Sequence, residues 1–201
     1  MELRQALDQI AEIRQQMARS QTLRGYRSMT AAISGIMALT AAGLQSLLIL
    51  NPAKHVDGYV ALWLGVAGLS MAVVGVEMFV RLRRSRCQVQ SQLTLLAVQQ
   101  FIPSVVAGGL LTLILVANAA ANVWMLPGLW MLLFGLGIFA CRRVLPRETG
   151  FVAAFYLGMG LVALAMGPAA AFSPWLMGGP FAFGQFLTAG ILYFSLERTH
   201  A

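Results

Sequence analysis

The stretch GYVALWLGVAGLSMAVVGVEMFVRLRRSR, residues 58–86, decides the fold class of this chain. Residues 58–80 carry a single charged side chain, Glu77, and four arginines follow them within six residues. A helix needs about 20 apolar residues to cross the hydrocarbon core of a bilayer. An apolar run of this length that ends in arginines therefore predicts a transmembrane helix whose last turn meets the cytoplasmic membrane surface.

The composition extends this prediction to the whole chain. Of its 201 residues, 59% are hydrophobic and only 10% are charged, with a mean hydropathy of +0.75. Such a chain has too few charges to cover a water-soluble globule. The net charge of +7 would suggest nucleic acid in a soluble protein, but here the arginines follow or precede apolar segments. We therefore predict contact with anionic lipid headgroups and no binding of nucleic acid.

Six apolar segments predict an all-α bundle of six transmembrane helices, arranged as three hairpins. The predicted spans are residues 29–50, 58–80, 104–123, 127–145, 150–170 and 180–196. With six crossings, all thirteen arginines fall on one side of the membrane and the single lysine, Lys54, falls on the other. Since positive residues in short loops stay in the cytoplasm, both termini are predicted to be cytoplasmic. The four tryptophans fall near the outer side, as interfacial aromatic residues do.

Two segments outside the spans carry most of the positive charge. Residues 1–28 are predicted to form a cytoplasmic amphipathic helix ahead of the transmembrane domain, residues 29–201. Its apolar or small residues recur at 3,4 spacing: Leu3, Ala6, Ile10, Ile13, Met17 and Ser20. Three interpretations stay open for it, namely a helix on the inner leaflet, a helix that binds another copy or a partner through residues 3–20, and a frayed tail.

A second surface helix is predicted at about residues 84–102, turning into the third span at Pro103. Its glutamines alternate with apolar residues, too polar for hydrocarbon and too apolar for a free loop. The arginines predicted to contact lipid or a partner are Arg19, Arg24, Arg27, Arg83, Arg84 and Arg86. Together the two segments predict a basic cytoplasmic platform.

Glu77 is the one ionisable residue inside a predicted span, and intramembrane carboxylates are candidates for function. Arg81 follows four residues later on the same helix face, near the cytoplasmic end. One interpretation is a structural ion pair whose side chains reach the headgroups. The other is a role in proton or cation coupling.

Uncharged amides give a second candidate site in the outer half of the predicted bundle. Gln45, Asn118, Asn122 and Gln185 lie at comparable depth in three different spans. Amides that face lipid are costly, so we expect them to point inward. They either form hydrogen bonds between helices or line an outward-facing cavity for a small solute.

Small residues at four-residue spacing predict close helix packing in lipid. The pairs are Ala61 with Gly65, Gly68 with Ala72, Ala154 with Gly158, and Ala163 with Gly167. A possible repeat accompanies them, since Trp63 and Trp130 are each followed five residues later by Gly-Leu, with a weaker copy at Gln185. The abundance of Gly, Leu and Ala leaves coincidence open.

The sequence carries no pattern for cofactor binding or catalysis. His55 falls in a predicted outer loop and His200 is the penultimate residue, so no histidine is placed in a span to ligate haem or a metal. Cys87 and Cys141 fall on the reducing cytoplasmic side and are predicted to be free thiols. No catalytic, cofactor or metal-binding residues are therefore predicted.

The leader LRQALDQIAEIRQQMARSQTLRGYRS and the C-terminal FLTAGILYFSLER, at the two ends of a six-helix body, carry a resemblance. The chain resembles uncharacterised integral membrane proteins of bacteria, and its three-hairpin layout is similar to that of six-helix stress-response membrane proteins of the HdeD type. The resemblance implies a multi-pass protein of the bacterial inner membrane and transfers no catalytic motif.

We predict a non-enzymatic inner-membrane protein that acts by helix packing and by its basic cytoplasmic face, as a scaffold, stress-response component or accessory subunit. A small-solute or ion transporter or channel that uses Glu77 and the outer amides is the alternative. An intramembrane enzyme is a third possibility.

Overall fold

A computed structural model of the chain describes residues 28–52, 54–84 and 88–197. Its seven α-helices are α1 (Ser28–Leu48), α2 (Val56–Arg84), α3 (Gln88–Asn118), α4 (Leu126–Ala140), α5 (Thr149–Ala165), α6 (Pro168–Ala171) and α7 (Pro174–Leu192). Two 3₁₀ segments, Ala120–Met125 and Cys141–Arg143, and a π-helical turn, Tyr193–Glu197, complete it. No strand occurs in these ranges, which confirms the all-α class.

The predicted N-terminal amphipathic helix lies outside the described residues, apart from Ser28. Arg19, Arg24, Arg27, Arg86 and Cys87 lie outside them as well, and so do the side chains of Arg81 and Arg84.

Four helical segments are long and apolar enough to cross a membrane. They are Ser28–Leu48, Val56–Val80, Gln92–Asn118 and Ala120–Arg143. Thr149–Ala165 is apolar but has only 17 residues, which is at the short end for a span. The protein thus has the helices of a membrane protein, while the count of six spans stays a prediction.

Glycine and proline determine where α5 ends and where α7 begins. Gly167 has φ +72°, a left-handed conformation that glycine adopts without a Cβ clash, and Pro168 follows it. The fifth helix therefore ends at Ala165 rather than at residue 170. Ser173 is extended and Pro174 fits the first turn of α7, so the last helix begins six residues before the predicted start at 180.

Residues 88–118 form one continuous helix through Pro103. The predicted surface helix and the third span are therefore collinear in the described range. Proline removes one backbone N–H from a helix interior, a defect that transmembrane helices tolerate when neighbouring groups compensate.

Consecutive long helices run antiparallel, which gives the bundle two chemically different ends. Arg83, Arg142, Arg143 and Glu148 lie at one, which we call the arginine end. All four tryptophans and the exposed Lys54 belong to the other, the tryptophan end. At the arginine end Met78 of α2 packs in one apolar cluster with Ala97, Cys141 and Val144, which joins α2, α3 and the end of α4.

The most extensive helix contacts do not lie within the predicted hairpins. The first and last long helices, α1 and α7, pack on each other, and α4 packs on α5. A Cβ placed on Gly178 of α7 would lie 3.0 Å from the carbonyl oxygen of Ala38 in α1. The first and last long helices of the described ranges therefore form one antiparallel pair.

The α4 and α5 pair is held by glycines seven residues apart. A Cβ on Gly128 would lie 2.8 Å from the carbonyl oxygen of Gly160, and a Cβ on Gly160 would lie 2.8 Å from that of Gly128. A Cβ on Gly135 would lie 3.0 Å from the carbonyl oxygen of Ala153. Backbones that approach this closely gain dispersion contacts, which is how helices associate in lipid.

Aromatic rings fill the centre between α4, α5 and α7. The ring of Phe134 meets Tyr156 at 4.9 Å and Phe181 at 5.5 Å between centroids. The buried hydroxyl of Tyr156 donates a hydrogen bond to the carbonyl oxygen of Phe181, at 3.2 Å. Gly184 of α7 lies against the Tyr156 ring, so only a residue without a side chain fits there.

Candidate functional site

Gln45 forms the best-defined polar cluster of the described bundle. Its side chain, fully buried in α1, donates from Nε2 to the carbonyl oxygen of Phe172 at 2.8 Å. Nε1 of Trp63, in α2, donates to Oε1 of Gln45 at 2.8 Å. One amide thus links α1, α2 and the segment that precedes α7 at the tryptophan end.

The ring of Tyr59 packs against this cluster. The side chain is 0% exposed, and its ring meets Phe172 edge-on at 5.1 Å between centroids. Within the part of the chain that the structure describes, the Tyr59 hydroxyl has no hydrogen-bond partner. In this cluster the side-chain amide of Gln45 has hydrogen-bond partners, whereas the buried hydroxyl of Tyr59 has none among the described residues.

A second tryptophan forms a similar bond between α3 and α4. Nε1 of Trp130, in α4, donates to the Thr112 hydroxyl of α3 at 2.9 Å. Trp63 follows Gln45 by 18 residues, and Trp130 follows Thr112 by 18 residues. In both cases an indole N–H donates to a polar side chain of the preceding helix, an amide oxygen in one and a hydroxyl in the other.

The four predicted amides do not share one environment. Gln45 is buried, Gln185 is half-buried in α7, and both Asn118 and Asn122 are exposed near the end of α3. Of the two interpretations, hydrogen bonding between helices describes Gln45. A solute cavity that includes all four amides stays a prediction.

Glu77 lies half-buried between α1 and α2, near the arginine end. The hydroxyl of Thr30 in α1 donates a hydrogen bond to its carboxylate oxygen. Because a carboxylate at this depth needs a donor, Thr30 supplies a structural partner from a neighbouring helix. The predicted pair with Arg81 involves a side chain outside the described residues.

Two arginines at the arginine end lie over phenylalanine rings. The guanidinium of Arg83 is 4.7 Å from the Phe79 ring centroid, and that of Arg142 is 5.9 Å from the Phe139 centroid. Both arginines are exposed, so each places its charge at the surface while its stem covers apolar area. This geometry suits the predicted contact with anionic headgroups.

Helix α2 presents two opposite seams. One seam, which includes Tyr59, Trp63 and Glu77, faces α1. The other, which we call the free seam, is offset from it by two positions, about 200° around a helix. Its members are all exposed and small: Ala61, Gly65, Gly68, Ala72 and Gly75. A Cβ added at any of its three glycines would meet nothing within 4 Å.

The four-residue spacing of the predicted small-residue pairs does not show which of them pack inside the bundle. Gly65 and Gly68 are unpacked, and Gly158 and Gly167 of the other two pairs also have nothing within 4 Å. Glycines that do pack inside the bundle include Gly128, Gly135, Gly160 and Gly178. Four-residue spacing alone does not identify the packed face, because it holds on more than one side of a glycine-rich helix.

Thiol and metal chemistry have little support in the described ranges. Cys141 is a free, buried thiol whose Sγ lies 3.3 Å from the carbonyl oxygen of Ala97. The residues that the structure describes contain no group of three or more histidine, cysteine or acidic side chains that could hold a metal ion. Sequence reasoning missed Tyr59, Thr30 and Thr112 as members of polar contacts. The shared 18-residue spacing to a tryptophan was the one signal that could have found Thr112.

Comparison with known proteins gives no match. No protein-family model matches the chain, and no curated protein or solved structure matches it.

Proposed function

We propose that this chain is a non-enzymatic membrane protein of six spans, with both termini in the cytoplasm, that acts by binding other transmembrane helices. In this role it is a scaffold, stress-response component or accessory subunit of the bacterial inner membrane. The observation that carries the proposal is the free seam of α2, five exposed small residues opposite the face that packs on α1.

Glycine lowers the stability of a helix, and contact with a partner helix can offset this loss. At positions away from the helix ends, glycine is less favourable than alanine by about 0.5–1 kcal/mol. Inside the bundle the protein offsets this cost by direct backbone contact, as at Gly128 and Gly160. A second helix on the free seam would bring the same gain to Gly65, Gly68 and Gly75.

The low burial of α2 and α3 supports the same proposal. Only 17% of the apolar window of α2 and 6% of that of α3 is buried inside the protein. The corresponding share is 39% in α1. The α2 and α3 side of the bundle therefore offers the largest helix surface for a partner.

The six-span topology draws support from the charges at the two ends. Arg83, Arg142, Arg143 and Arg147 lie at the arginine end, whereas Lys54 lies at the tryptophan end. The positive-inside rule assigns the arginine end to the cytoplasm. Helices α5 and α7 pack on α4 and α1 respectively, which fits two further crossings of the same membrane.

The test is a double substitution on the free seam, Gly65→Leu with Gly68→Leu, in the full chain purified in nanodiscs. We expect the mass of the intact particle to fall by the mass of a second copy or of a co-purifying membrane protein. The reason is that leucine side chains prevent close approach of the two helices. Gly158→Leu is the control, since Gly158 of α5 is also exposed with nothing within 4 Å of an added Cβ but lies away from α2 and α3.

The control variant should keep the particle mass of the unmodified chain. A monomeric unmodified chain, or an assembly that the double substitution leaves unchanged, would contradict the proposal. A bound small molecule that co-purifies with a monomer would favour the transport alternative instead.

A further inference from the structure

An open groove lies at the arginine end between α7 and the start of α5. It encloses about 540 Å³, in the range of roughly 300–1,000 Å³ typical of ligand sites. Its lining is apolar except for Glu148 and Ser195, and it includes Phe186, Gly190, Ile191 and Phe194. A Cβ added at Gly190 would meet nothing within 4 Å, so this glycine opens directly into the groove.

We propose that residues 3–20 of this same chain cover the groove, with apolar side chains of the segment's seam entering it against α7. The inference does not depend on the assembly role of α2, because the free seam lies on a different helix. Three observations carry it: where the chain enters the bundle, the charge at the groove, and the pattern of the segment.

The chain enters the bundle beside the groove. Phe186 of α7 lies against Gly35 of α1, and the two helices are antiparallel. Ser28 precedes Gly35 by seven residues and Tyr193 follows Phe186 by seven, so the two lie at about the same level, given a rise of about 1.5 Å per residue. The first described residue of α1 is therefore level with the groove lining at Gly190 and Phe194.

The length of the connection keeps the segment close. Residues 2–24 contain no glycine or proline, whereas Gly25 follows them and suits the end of a helix. Only Gly25, Tyr26 and Arg27 then separate residue 24 from Ser28. Since extended residues span at most about 3.6 Å each, the C-terminal end of the segment stays near the arginine end.

The net charge of the segment is opposite in sign to that of the groove lining. Glu148 is exposed and is the one charged residue in the described lining. Residues 1–27 carry five arginines against Glu2, Asp8 and Glu12, a net charge of +2 (5 − 3), which a carboxylate attracts. The apolar seam through Leu3, Ile10 and Ile13 supplies side chains for the apolar wall.

The first test is a cysteine pair, Ile13→Cys with Ile191→Cys, in a full chain whose Cys87 and Cys141 are replaced by alanine. We expect oxidation or a short bifunctional thiol reagent to form a link within one chain. Gln15→Cys with Ile191→Cys is the matched control, because Gln15 lies on the face opposite the seam. The control pair should link several-fold less.

The second test places a larger side chain in the groove at a position where it does not clash with the rest of the bundle. Gly190→Leu should raise the rate at which a water-soluble maleimide labels Ile13→Cys several-fold. Gly179→Leu, on the same helix and also with nothing within 4 Å of an added Cβ, should leave the rate unchanged.

Three results would overturn the proposal. They are equal linking of the Ile13 and Gln15 pairs, linking only between two chains, and release of a co-purifying lipid by Gly190→Leu with no change in labelling. The second would assign the groove to another copy and the third to lipid. Because these variants leave α2 unchanged, failure here leaves the assembly proposal for α2 standing, and the reverse also holds.

Discussion

At the scale of single residues, one buried amide links more elements of the described bundle than any ionisable side chain does. Gln45 connects Trp63 of α2 with the carbonyl group of Phe172 ahead of α7, at 2.8 Å in each case. Asn118 and Asn122, of similar chemistry and depth in the sequence, are exposed. The value of an amide therefore depends on which way its helix faces.

Gln45→Leu should lower the free energy of unfolding by about 1–3 kcal/mol, because it leaves the Trp63 N–H and the Phe172 carbonyl buried without partners. Denaturant titration in detergent, followed by tryptophan fluorescence, would measure the change. Asn122→Leu is the control and should stay within about 0.5 kcal/mol of the unmodified chain. Equal effects of the two substitutions would refute the structural role of Gln45.

At the scale of helices, close packing is confined to particular pairs. Helices α4 and α5 approach through Gly128, Gly135 and Gly160, while α2 turns its own glycines away from the bundle. Helix α2 therefore uses one seam for internal hydrogen bonds, and its other seam is the one proposed to bind a partner. Composition cannot distinguish these cases, since both kinds of helix are rich in glycine.

Gly160→Ala should lower the free energy of unfolding by about 1–3 kcal/mol, because the new methyl group would lie 2.8 Å from the carbonyl oxygen of Gly128. Gly158→Ala, two residues away on the same helix, meets nothing within 4 Å. That control should be neutral or stabilise the protein by up to about 1 kcal/mol, as alanine favours the helix. The same titration compares them, and a smaller loss at Gly160 than at Gly158 would count against glycine packing in this pair.

At the scale of the whole molecule, the arginine and tryptophan ends define an orientation. Under the proposed six-span topology, thirteen arginines lie on one side of the membrane and one lysine on the other, an asymmetry to which the positive-inside rule applies directly. The contact of α1 with α7 brings the first and last long helices together.

Single cysteines should report this orientation in intact cells, in a chain whose Cys87 and Cys141 are replaced. Lys54→Cys at the tryptophan end should react with a membrane-impermeant maleimide added outside, because its loop lies on the outer side. Arg147→Cys at the arginine end should react only after the cells are opened. Labelling of both positions from outside would exclude the proposed topology, and labelling of Arg147→Cys alone would reverse it.

The sequence predicted much of the helix order but few of the contacts. The α1 and α2 limits fell within a few residues of the expected spans, because apolar length and charged ends act locally. The α5 and α7 limits differed, since Gly167 and Ser173 stop and start helices by backbone geometry. Gln45 was found as a candidate, whereas its partner Phe172 was not, since 127 residues separate them and the contact is with a backbone carbonyl.

The sequence by itself determined the all-helical class, the apolar segments and the separation of arginine from tryptophan. These follow from composition and spacing, which act along one helix at a time. Only the tertiary structure decided which faces meet: that α1 pairs with α7, that Gly160 is packed while Gly158 is not, and that Gln45 rather than Asn122 is buried. The physical reason is that helix pairing in lipid depends on the rotation of each helix about its own axis, and a glycine-rich sequence permits several such rotations.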